Sequence, residues 1–266
     1  MAEIILKIRE KIGIMVEAEA ISPESFAGKG KEEIEALLVW QGPEKLPLSR
    51  FFDVELSGSP SASAEETRII MQGDLSRVKR IGEGMKAGSI EIDGPAGMHL
   101  GAEMTGGNIL VKGNAGSWSG REMKGGLLHI KGNCGDHVGS AYRGSWRGMT
   151  GGQIIVDGNA RSQLGGGLAG GQITVKGDVE NFCGIRQSGG MILVRGSAVR
   201  GVGAEMNGGA IAVCKDILQP SPGFVETGRE EDPKLGEVQL EGRFVKYAGD
   251  YALSKNAKGT IYCREV

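Results

Sequence analysis

The stretch GAEMTGGNILVKG, residues 101–113, recurs in seven related copies along the middle of this 266-residue chain. The copies occupy residues 82–94, 101–113, 120–132, 146–158, 165–177, 184–196 and 203–215. Successive copies begin 19 residues apart, except that 26 separate the third from the fourth, because seven residues are inserted after Gly139. A fixed period near twenty residues is typical of a solenoid in which the repeats stack on one another.

Each copy carries two apolar residues two positions apart, such as Ile109 and Val111. This period of two, with many β-branched residues, predicts a short strand. Helical repeats need about 33 residues, and each glycine inside a helix would cost about 1 kcal/mol. We therefore predict a mainly β fold: a single-stranded β-helix, a solenoid of ~19-residue turns, with a small mixed N-terminal cap and a C-terminal β cap.

In such a coil, strands of successive turns lie about 4.8 Å apart and equivalent side chains stack. The Ile/Val pairs are expected to face inward, as is a column of mostly small residues and a column of mostly methionines, whose flexible side chains fill irregular space. The small column comprises Ala96, Ala115, Cys134, Ala160, Val179 and Ala198. The methionine column comprises Met85, Met104, Met123, Met149, Leu168, Gln187 and Met206. A Gly-Gly pair before the strand in six of the copies predicts a corner that needs positive φ or close backbone approach.

The repeat divides the chain into three regions. Residues 1–66 lack the repeat and are predicted to form an N-terminal cap, with Ser22-Pro23 starting a helix. Residues 67–216 are predicted to form the β-helix. Residues 217–266 follow the end of the repeats and are predicted to form a C-terminal cap with further strands.

Composition limits the classes of function. A net charge of −2 gives no reason to expect nucleic acid or a membrane as a partner. The N-terminus lacks the long apolar core of a signal peptide, and no apolar run approaches the ~20 residues of a membrane span. Four cysteines occur without a C-x-x-C pair, which predicts a cytoplasmic protein with reduced thiols.

Residues that could carry catalysis or bind a metal form no recognisable constellation. His99, Trp118 and His137 share one position of the repeat, so the histidines should lie about 9.6 Å apart with an indole between them. That spacing is poorly suited to one zinc ion, whose ligand nitrogens lie about 2.0–2.1 Å away. Alternation predicts that this column points outward, as a contact face or as ordinary surface. We therefore predict no catalytic, cofactor-binding or metal-binding residues in this chain.

Two features predict binding to other proteins. The outward face of the strands carries Leu110, Ile155 and Leu193, and a contiguous apolar strip is a candidate docking surface. The seven-residue insertion and the arginine after it bring together Tyr142, Arg143, Trp146 and Arg147. Aromatic and arginine residues are enriched at interface centres, and insertions in solenoids often lie on the binding face. The alternative for the insertion is a loop folded back on its own turn.

The repeat Gly-x-x-Met-x-Gly-Gly-x-Ile-x-Val-x-Gly, interrupted by the segment Tyr142 to Met149, closely resembles the C subunit of formylmethanofuran dehydrogenase. The segment SPESFAG, residues 22–28, and the link GNAGSW, residues 113–118, resemble the same family. A weaker similarity exists to the glycine-repeat β-helix at the C-terminus of the glutamate synthase large subunit.

The resemblance to the formylmethanofuran dehydrogenase family implies membership of an oxidoreductase complex that reduces CO2 and forms N-formylmethanofuran, the first step of methanogenesis from CO2. It implies partners that carry the chemistry: a molybdenum or tungsten pterin subunit that handles formate, an amidohydrolase-like subunit with a binuclear metal, and ferredoxin-like subunits with Fe–S clusters. The chain itself is then expected to be a non-catalytic docking subunit that binds no cofactor.

Three alternatives stay open at the level of sequence. The chain could be the equivalent subunit of a formyltransferase/hydrolase complex, or a glutamate-synthase-type domain, or an enzyme in its own right on a β-helix. The last alternative predicts activity from the isolated chain.

Overall fold

The alternating apolar residues of the repeats form β-strands in the computed structural model of this chain, which describes residues 2–265. The protein is mainly β, with 42% strand and 5% helix, as predicted. Among the described residues, no helix has the length and apolar character needed to span a membrane.

The N-terminal region mixes strands with short helices. Ser22 caps the first helix as predicted, since its hydroxyl accepts the Ser25 N–H at 3.2 Å. The elements of this region are β1 (Ala2–Ile8), β2 (Val16–Glu17), α1 (Pro23–Phe26), α2 (Lys31–Glu35), β3 (Leu38–Gln41), β4 (Glu44–Pro47), a 3₁₀ turn (Leu48–Arg50) and β5 (Phe52–Ser57).

The repeat region contains one principal strand per repeat. Its strands are β6 (Thr67–Gln72), β7 (Val78–Lys79), β8 (Ser89–Asp93), β9 (Thr105–Val111), β10 (Gly125–Ile130), β11 (Thr150–Val156), β12 (Gly170–Val175), β13 (Ser188–Val194), β14 (Ala198–Arg200) and β15 (Gly208–Val213). The C-terminal region adds β16 (Ile217–Gln219), β17 (Val225–Glu231), β18 (Lys234–Leu235), β19 (Val238–Gln239), β20 (Arg243–Gly249) and β21 (Gly259–Arg264).

One sheet of thirteen strands runs the length of the molecule, in the order β17-β20-β21-β15-β13-β12-β11-β10-β9-β8-β6-β1-β5. Pairing is parallel from β1 to β21. Equivalent residues of successive repeats are partners, and the register crosses the insertion without a shift, because Leu128 lies opposite both Ile109 and Ile154. The nineteen-residue period therefore sets the strand register.

A second line of contacts links the same repeats on another side. Isolated parallel bridges connect Leu75, Ala96, Ala115, Cys134, Ala160, Val179 and Ala198 in succession. Beside them runs a ladder of side-chain amides. The Asn114 Oδ1 accepts the Asn133 N–H, and the Asn133 Oδ1 accepts the Asn159 N–H, both at 2.8 Å. Each of these amides thus satisfies a backbone donor of the following repeat.

The core lies inside the stacked repeats. The whole methionine column and the Ile/Val pairs of the repeats are buried, as predicted from their spacing. Gln187 is fully buried within the methionine column, and its amide nitrogen donates to the Gly189 and Gly190 carbonyls at 3.0 and 3.1 Å. These bonds let a polar side chain occupy a methionine position.

Each repeat turns its corner through residues in the left-handed region. His99, Gly101 and Glu103 have φ values of 60°, 58° and 57°. Their N–H groups reach turns on both sides: His99 donates to Ser117 O, Gly101 to Ile81 O and Glu103 to Arg121 O, at 2.8–3.0 Å. Left-handed conformation costs a non-glycine residue about 1–2 kcal/mol. The hydrogen bonds between turns offset that cost.

Candidate interaction site at the insertion

The insertion, residues 140–146, is held in place by both neighbouring repeats. The Glu122 N–H donates to Ser140 O at 3.2 Å, and the Ala141 N–H donates to Gly166 O at 2.8 Å. On its far side, the Gly148 N–H donates to Gly167 O at 2.8 Å. The backbone at both ends of the insertion is therefore fixed to the stacked repeats.

Between these anchors the chain makes a tight turn. The Ser145 N–H donates to Tyr142 O at 2.9 Å, and Gly144 has a φ of 88°. A positive φ at the third position is what a type II turn requires, and glycine adopts it without a side-chain penalty. The turn leaves Tyr142, Arg143 and Trp146 exposed to solvent.

Tyr142 packs against a stack of three rings from successive repeats. The Trp118 ring stacks on His137 with centroids 4.0 Å apart and on His99 with centroids 6.2 Å apart. The Tyr142 ring meets Trp118 and His99 edge-on, at 5.3 and 5.7 Å. Such edge-to-face contacts are favourable for aromatic rings. The insertion thus folds back over the two preceding repeats.

The prediction that the histidine column points outward is wrong for His99, which is only 9% exposed. The left-handed corner turns this ring toward Tyr142 and Arg121 instead of toward solvent. Burial and, after it, the charges of Arg121 and Arg80 lower the pKa of His99 to about 4. Burial also lowers the pKa of His137. His99 is therefore neutral at pH 7.

Arg121 joins this stack to a group of carboxylates. Its guanidinium lies 2.9 Å from Glu83, 2.9 Å from Glu103 and 3.0 Å from Glu122. It also lies 4.6 Å from the centre of the Tyr142 ring, and its side chain is 8% exposed. Glu122 in turn accepts the Tyr142 N–H at 3.2 Å. A buried arginine therefore holds three glutamates in place.

A small cavity lies beside the turn of the insertion, and we call it the insertion pocket. Its volume is about 230 Å³. Side chains that line it include Trp118, His137, Arg143, Trp146, Gln163 and Arg186. Two arginines and no acidic side chain are among the described residues that line it. The pocket is therefore aromatic and positively charged.

Trp146 forms one wall of the insertion pocket and is 75% exposed. The Arg186 guanidinium lies 4.9 Å from the centre of its ring and 2.9 Å from the Glu205 carboxylate. Within residues 2–265, by contrast, neither Arg143 nor Arg147 forms an ion pair. The insertion and the arginine after it therefore present an exposed indole and two arginines without an ion pair among the described residues.

The apolar strip on the strand face is smaller than the sequence predicts. Leu193 is 2% exposed, because β18 to β21 fold over it and place it in a cluster with Leu235, Leu240 and Phe244. The prediction of Leu193 as part of an open surface is therefore wrong. Leu110 and Ile155 are half-buried, and they remain candidates for contact with another protein.

A charged group separates these two apolar residues. His129, which lies between them in the sheet, contacts Asp157 at 3.1 Å, and Lys176 and Lys131 contact the same carboxylate at 2.8 and 3.2 Å. Burial opposes ionisation of Asp157, but the hydrogen bonds from Lys176, His129 and Lys131 hold its pKa well below the usual range. The strip is thus interrupted rather than continuous.

The chain resembles proteins whose names describe one family. It is 46% identical over 98% of its length to the C subunit of the tungsten-containing formylmethanofuran dehydrogenase 2 of Methanococcus maripaludis, covering 96% of that protein. This chain belongs to the family of formylmethanofuran dehydrogenase C subunits. A shorter match, 58% identical over 100 residues, relates it to the C subunit of the molybdenum-containing formylmethanofuran dehydrogenase 1 of Methanosarcina barkeri. That match spans 38% of this chain and about a third of the relative, 33%.

A solved structure resembles the whole fold of this chain. It is a chain of the crystal structure of the formyltransferase/hydrolase complex (FhcABCD) from Methylorubrum extorquens in complex with methylofuran. The TM-score is 0.84 at 26% identity, and the alignment covers 98% of this chain and 100% of that one. No family model matches the sequence.

Two of the four cysteines of this chain occupy buried positions in the repeat region. Cys134 and Cys183 are buried in the core, and burial raises the pKa of each thiol to about 12. Both are therefore protonated at neutral pH. Across residues 2–265, no group of three or more His, Cys, Asp or Glu side chains is placed to share a metal ion.

Sequence reasoning missed Arg121, although the repeat carried a signal for it. Arg121 shares its repeat position with Glu83, which lies two repeats, or 38 residues, earlier. Its three glutamate partners come from different repeats or adjacent positions. Stacking the repeats in register would have brought these opposite charges together.

Proposed function

We propose that this chain is a non-catalytic docking subunit of a formylmethanofuran dehydrogenase complex, which reduces CO2 and forms N-formylmethanofuran. The observation that carries the proposal is 46% identity to the C subunit of a tungsten-containing enzyme over nearly the whole of both chains. The rigid stack of repeats and the exposed aromatic and arginine side chains of the insertion suit a chain that holds other subunits.

We also infer a single-stranded β-helix for residues 67–216, capped by residues 1–66 and 217–266. The parallel strands of the large sheet and the isolated bridges on another side connect the same successive repeats. A repeat that contributes to two such ladders behaves as one turn of a coil. The equal spacing of the repeats then makes the coil stiff, because each turn hydrogen-bonds to the next along two lines.

The partners that this proposal implies are the subunits that carry the chemistry. The names of the relatives mention molybdenum or tungsten, which fits a pterin subunit that interconverts CO2 and formate. An amidohydrolase-like subunit with a binuclear metal and ferredoxin-like subunits with Fe–S clusters complete the proposed complex, in the cytoplasm. In this chain, Tyr142, Arg143, Trp146 and Arg147 form the proposed contact surface, with Leu110 and Ile155 as a second patch.

Purification of the tagged full-length chain from its source cells tests the proposal. Mass spectrometry of the co-eluting proteins should identify the pterin and amidohydrolase-like subunits, and the purified complex should reduce CO2 in the presence of methanofuran. The isolated chain should show no turnover. Activity of the isolated chain, or recovery of no large partner, would overturn the proposal.

A second candidate is the equivalent subunit of a formyltransferase/hydrolase complex. The fold similarity to a chain of such a complex, with a TM-score of 0.84, favours it. The same purification separates the two candidates, because a formyltransferase/hydrolase would recover no subunit with a molybdenum or tungsten pterin. Mass-spectrometric analysis of the purified complex for molybdenum and tungsten distinguishes the two candidates without an activity measurement.

A further inference from the structure

The arginines of this chain are mostly paired with carboxylates, and the insertion is an exception. Arg121 contacts three glutamates, and Arg186 contacts Glu205. Arg143 is exposed, lines the insertion pocket, and forms no ion pair with any carboxylate of residues 2–265. No acidic side chain lines the pocket within the described residues, so the charge of Arg143 has no carboxylate partner there.

The insertion pocket is formed before any partner arrives. Its backbone is fixed by the Ser140, Ala141 and Gly148 hydrogen bonds to neighbouring repeats. One wall is the Trp118–His137 stack, in which the Trp118 ring also meets Tyr142 edge-on. Binding to a preformed pocket loses less conformational entropy than binding to a mobile loop.

The size of the pocket limits what can enter it. Its volume of about 230 Å³ lies below the range of about 300–1,000 Å³ that is usual for small-molecule sites. A single side chain fits such a space, whereas a helix or a strand does not. The exposed Trp146 ring stands beside it and can cover a group that has entered, which removes water and strengthens a charged hydrogen bond.

We infer that the insertion pocket receives the carboxylate of an aspartate or glutamate on a segment of another subunit, with Arg143 as its principal ion-pair partner. Arg186, which packs on the Trp146 ring and pairs with Glu205, also lines the pocket. The inference rests on the proposed docking function and specifies the chemistry of the partner segment. The acidic segment fixes where the partner docks, because charge complementarity governs orientation more than total affinity.

Competition for assembly tests the inference in the full-length chain. Tagged Arg143→Glu and untagged wild-type chains are expressed together in the source cells, and their ratio in the purified complex is measured by mass spectrometry. We expect Arg143→Glu to be incorporated at least about tenfold less than wild type, because it opposes one carboxylate with another. Arg161→Glu is the matched control, since Arg161 is also exposed and unpaired within residues 2–265 but lies outside the pocket. It should differ from wild type by less than about twofold.

Photo-crosslinking identifies the segment that enters. Trp146→p-benzoylphenylalanine keeps an aromatic ring at the mouth of the pocket and crosslinks to what lies against it. The crosslinked peptide should contain an aspartate or glutamate next to the site of attachment. Equal incorporation of Arg143→Glu and Arg161→Glu, or a crosslinked segment without an acidic residue, would overturn the inference and leave the docking function standing. Failure of the wild-type chain to recover any partner would overturn both.

Discussion

At the scale of single residues, Arg121 is the side chain on which the insertion depends. It is 8% exposed and contacts Glu83, Glu103 and Glu122. Its removal leaves Glu83 with Arg80 at 2.8 Å, but leaves Glu103 and Glu122 without an ion-pair partner among the described residues. We expect Arg121→Met to lower the free energy of unfolding by about 3 kcal/mol, the lower end for breaking a buried ion pair. Urea unfolding of the full chain measures the loss.

Arg186→Met is the matched control for that prediction. Arg186 also lies on an aromatic ring of the insertion and also contacts a glutamate, but its side chain is 47% exposed. Exposed ion pairs contribute at most about 1 kcal/mol. Equal losses for the two variants would show that burial of Arg121 does not matter.

His99 makes the stability of the protein depend on pH. Its folded-state pKa of about 4 lies below the value near 6.5 of an unfolded histidine. The unfolded chain therefore binds the proton more readily, so the contribution of His99 is complete above pH 6.5 and is lost as the pH falls toward 4. When the pH is lowered from 7.5 to 5, we expect the free energy of unfolding of His99→Phe to fall by about 1–2 kcal/mol less than that of wild type.

Phenylalanine is a suitable replacement for His99 because Phe182 has the same left-handed backbone at the equivalent position of a later repeat. The measurement is urea unfolding at both pH values for both proteins. A parallel pH dependence of the two would mean that the His99 ring becomes protonated as easily in the folded protein as in the unfolded chain.

At the scale of one element, the Gly-Gly corner fulfils both of the requirements that its sequence predicts. Gly126 has a φ of 82°, and a Cβ on it would lie 2.6 Å from the Gly107 carbonyl oxygen of the preceding repeat. Gly144 in the insertion has a φ of 88°, but a Cβ there would meet nothing within 4 Å. A substitution at Gly144 therefore tests backbone strain alone, whereas a substitution at Gly126 adds steric overlap with the preceding repeat.

Substitution with alanine distinguishes these two costs. Gly144→Ala should destabilise by about 1 kcal/mol, from the left-handed backbone alone. Gly126→Ala should cost at least about 2 kcal/mol more, because the added methyl group forces adjacent turns apart. Urea unfolding of both variants checks the difference, and similar losses would mean that the stacked backbones separate easily.

The structural features that could be predicted from the sequence are those that the nineteen-residue period determines. Ile109 and Leu128 lie opposite each other because nineteen residues separate them, and the same spacing placed the methionine column in the core. The direction of the His99 side chain could not be predicted in this way. Side chains alternate between inward and outward only along an extended strand, and three residues of this corner are left-handed. The burial of Leu193 could not be predicted from the repeat either, because β18 to β21, which pack over this residue, lie outside the repeat.

At the scale of the whole molecule, parallel stacking leaves open edges that other chains could extend. At both ends, antiparallel strands finish the sheet: β5 pairs with β1, and β20 and β17 follow β21. The outermost strand β17 carries Glu226, Arg229, Glu230 and Glu231, and charged edge strands resist pairing with a further strand. Contact with other subunits is therefore directed to side-chain surfaces such as the insertion.

Removal of the insertion leaves the nineteen-residue repeat intact, so the role of the insertion in docking can be tested apart from folding. Deletion of residues 140–146 restores the spacing of 19 and joins Gly139 to Arg147, so the corner reads Gly-Arg-Gly-Met like Gly120-Arg-Glu-Met123. Because Leu128 already pairs with Ile154 across the insertion, we expect the variant to keep the circular-dichroism spectrum of the wild type. Its stability should fall by about 1–3 kcal/mol, since Tyr142 no longer covers the ring stack.

The same deletion should abolish assembly if the insertion is the docking surface. The variant lacks Tyr142, Arg143 and Trp146, so the folded chain should be incorporated into the complex at least about tenfold less than wild type. Competitive incorporation measured by mass spectrometry gives this ratio. If the variant folds and assembles normally, the docking surface lies at Leu110 and Ile155 and not at the insertion. If the variant does not fold, the insertion is required for folding. The pairing of Leu128 with Ile154 argues against the second outcome, because those strands meet in register without help from the seven residues between them.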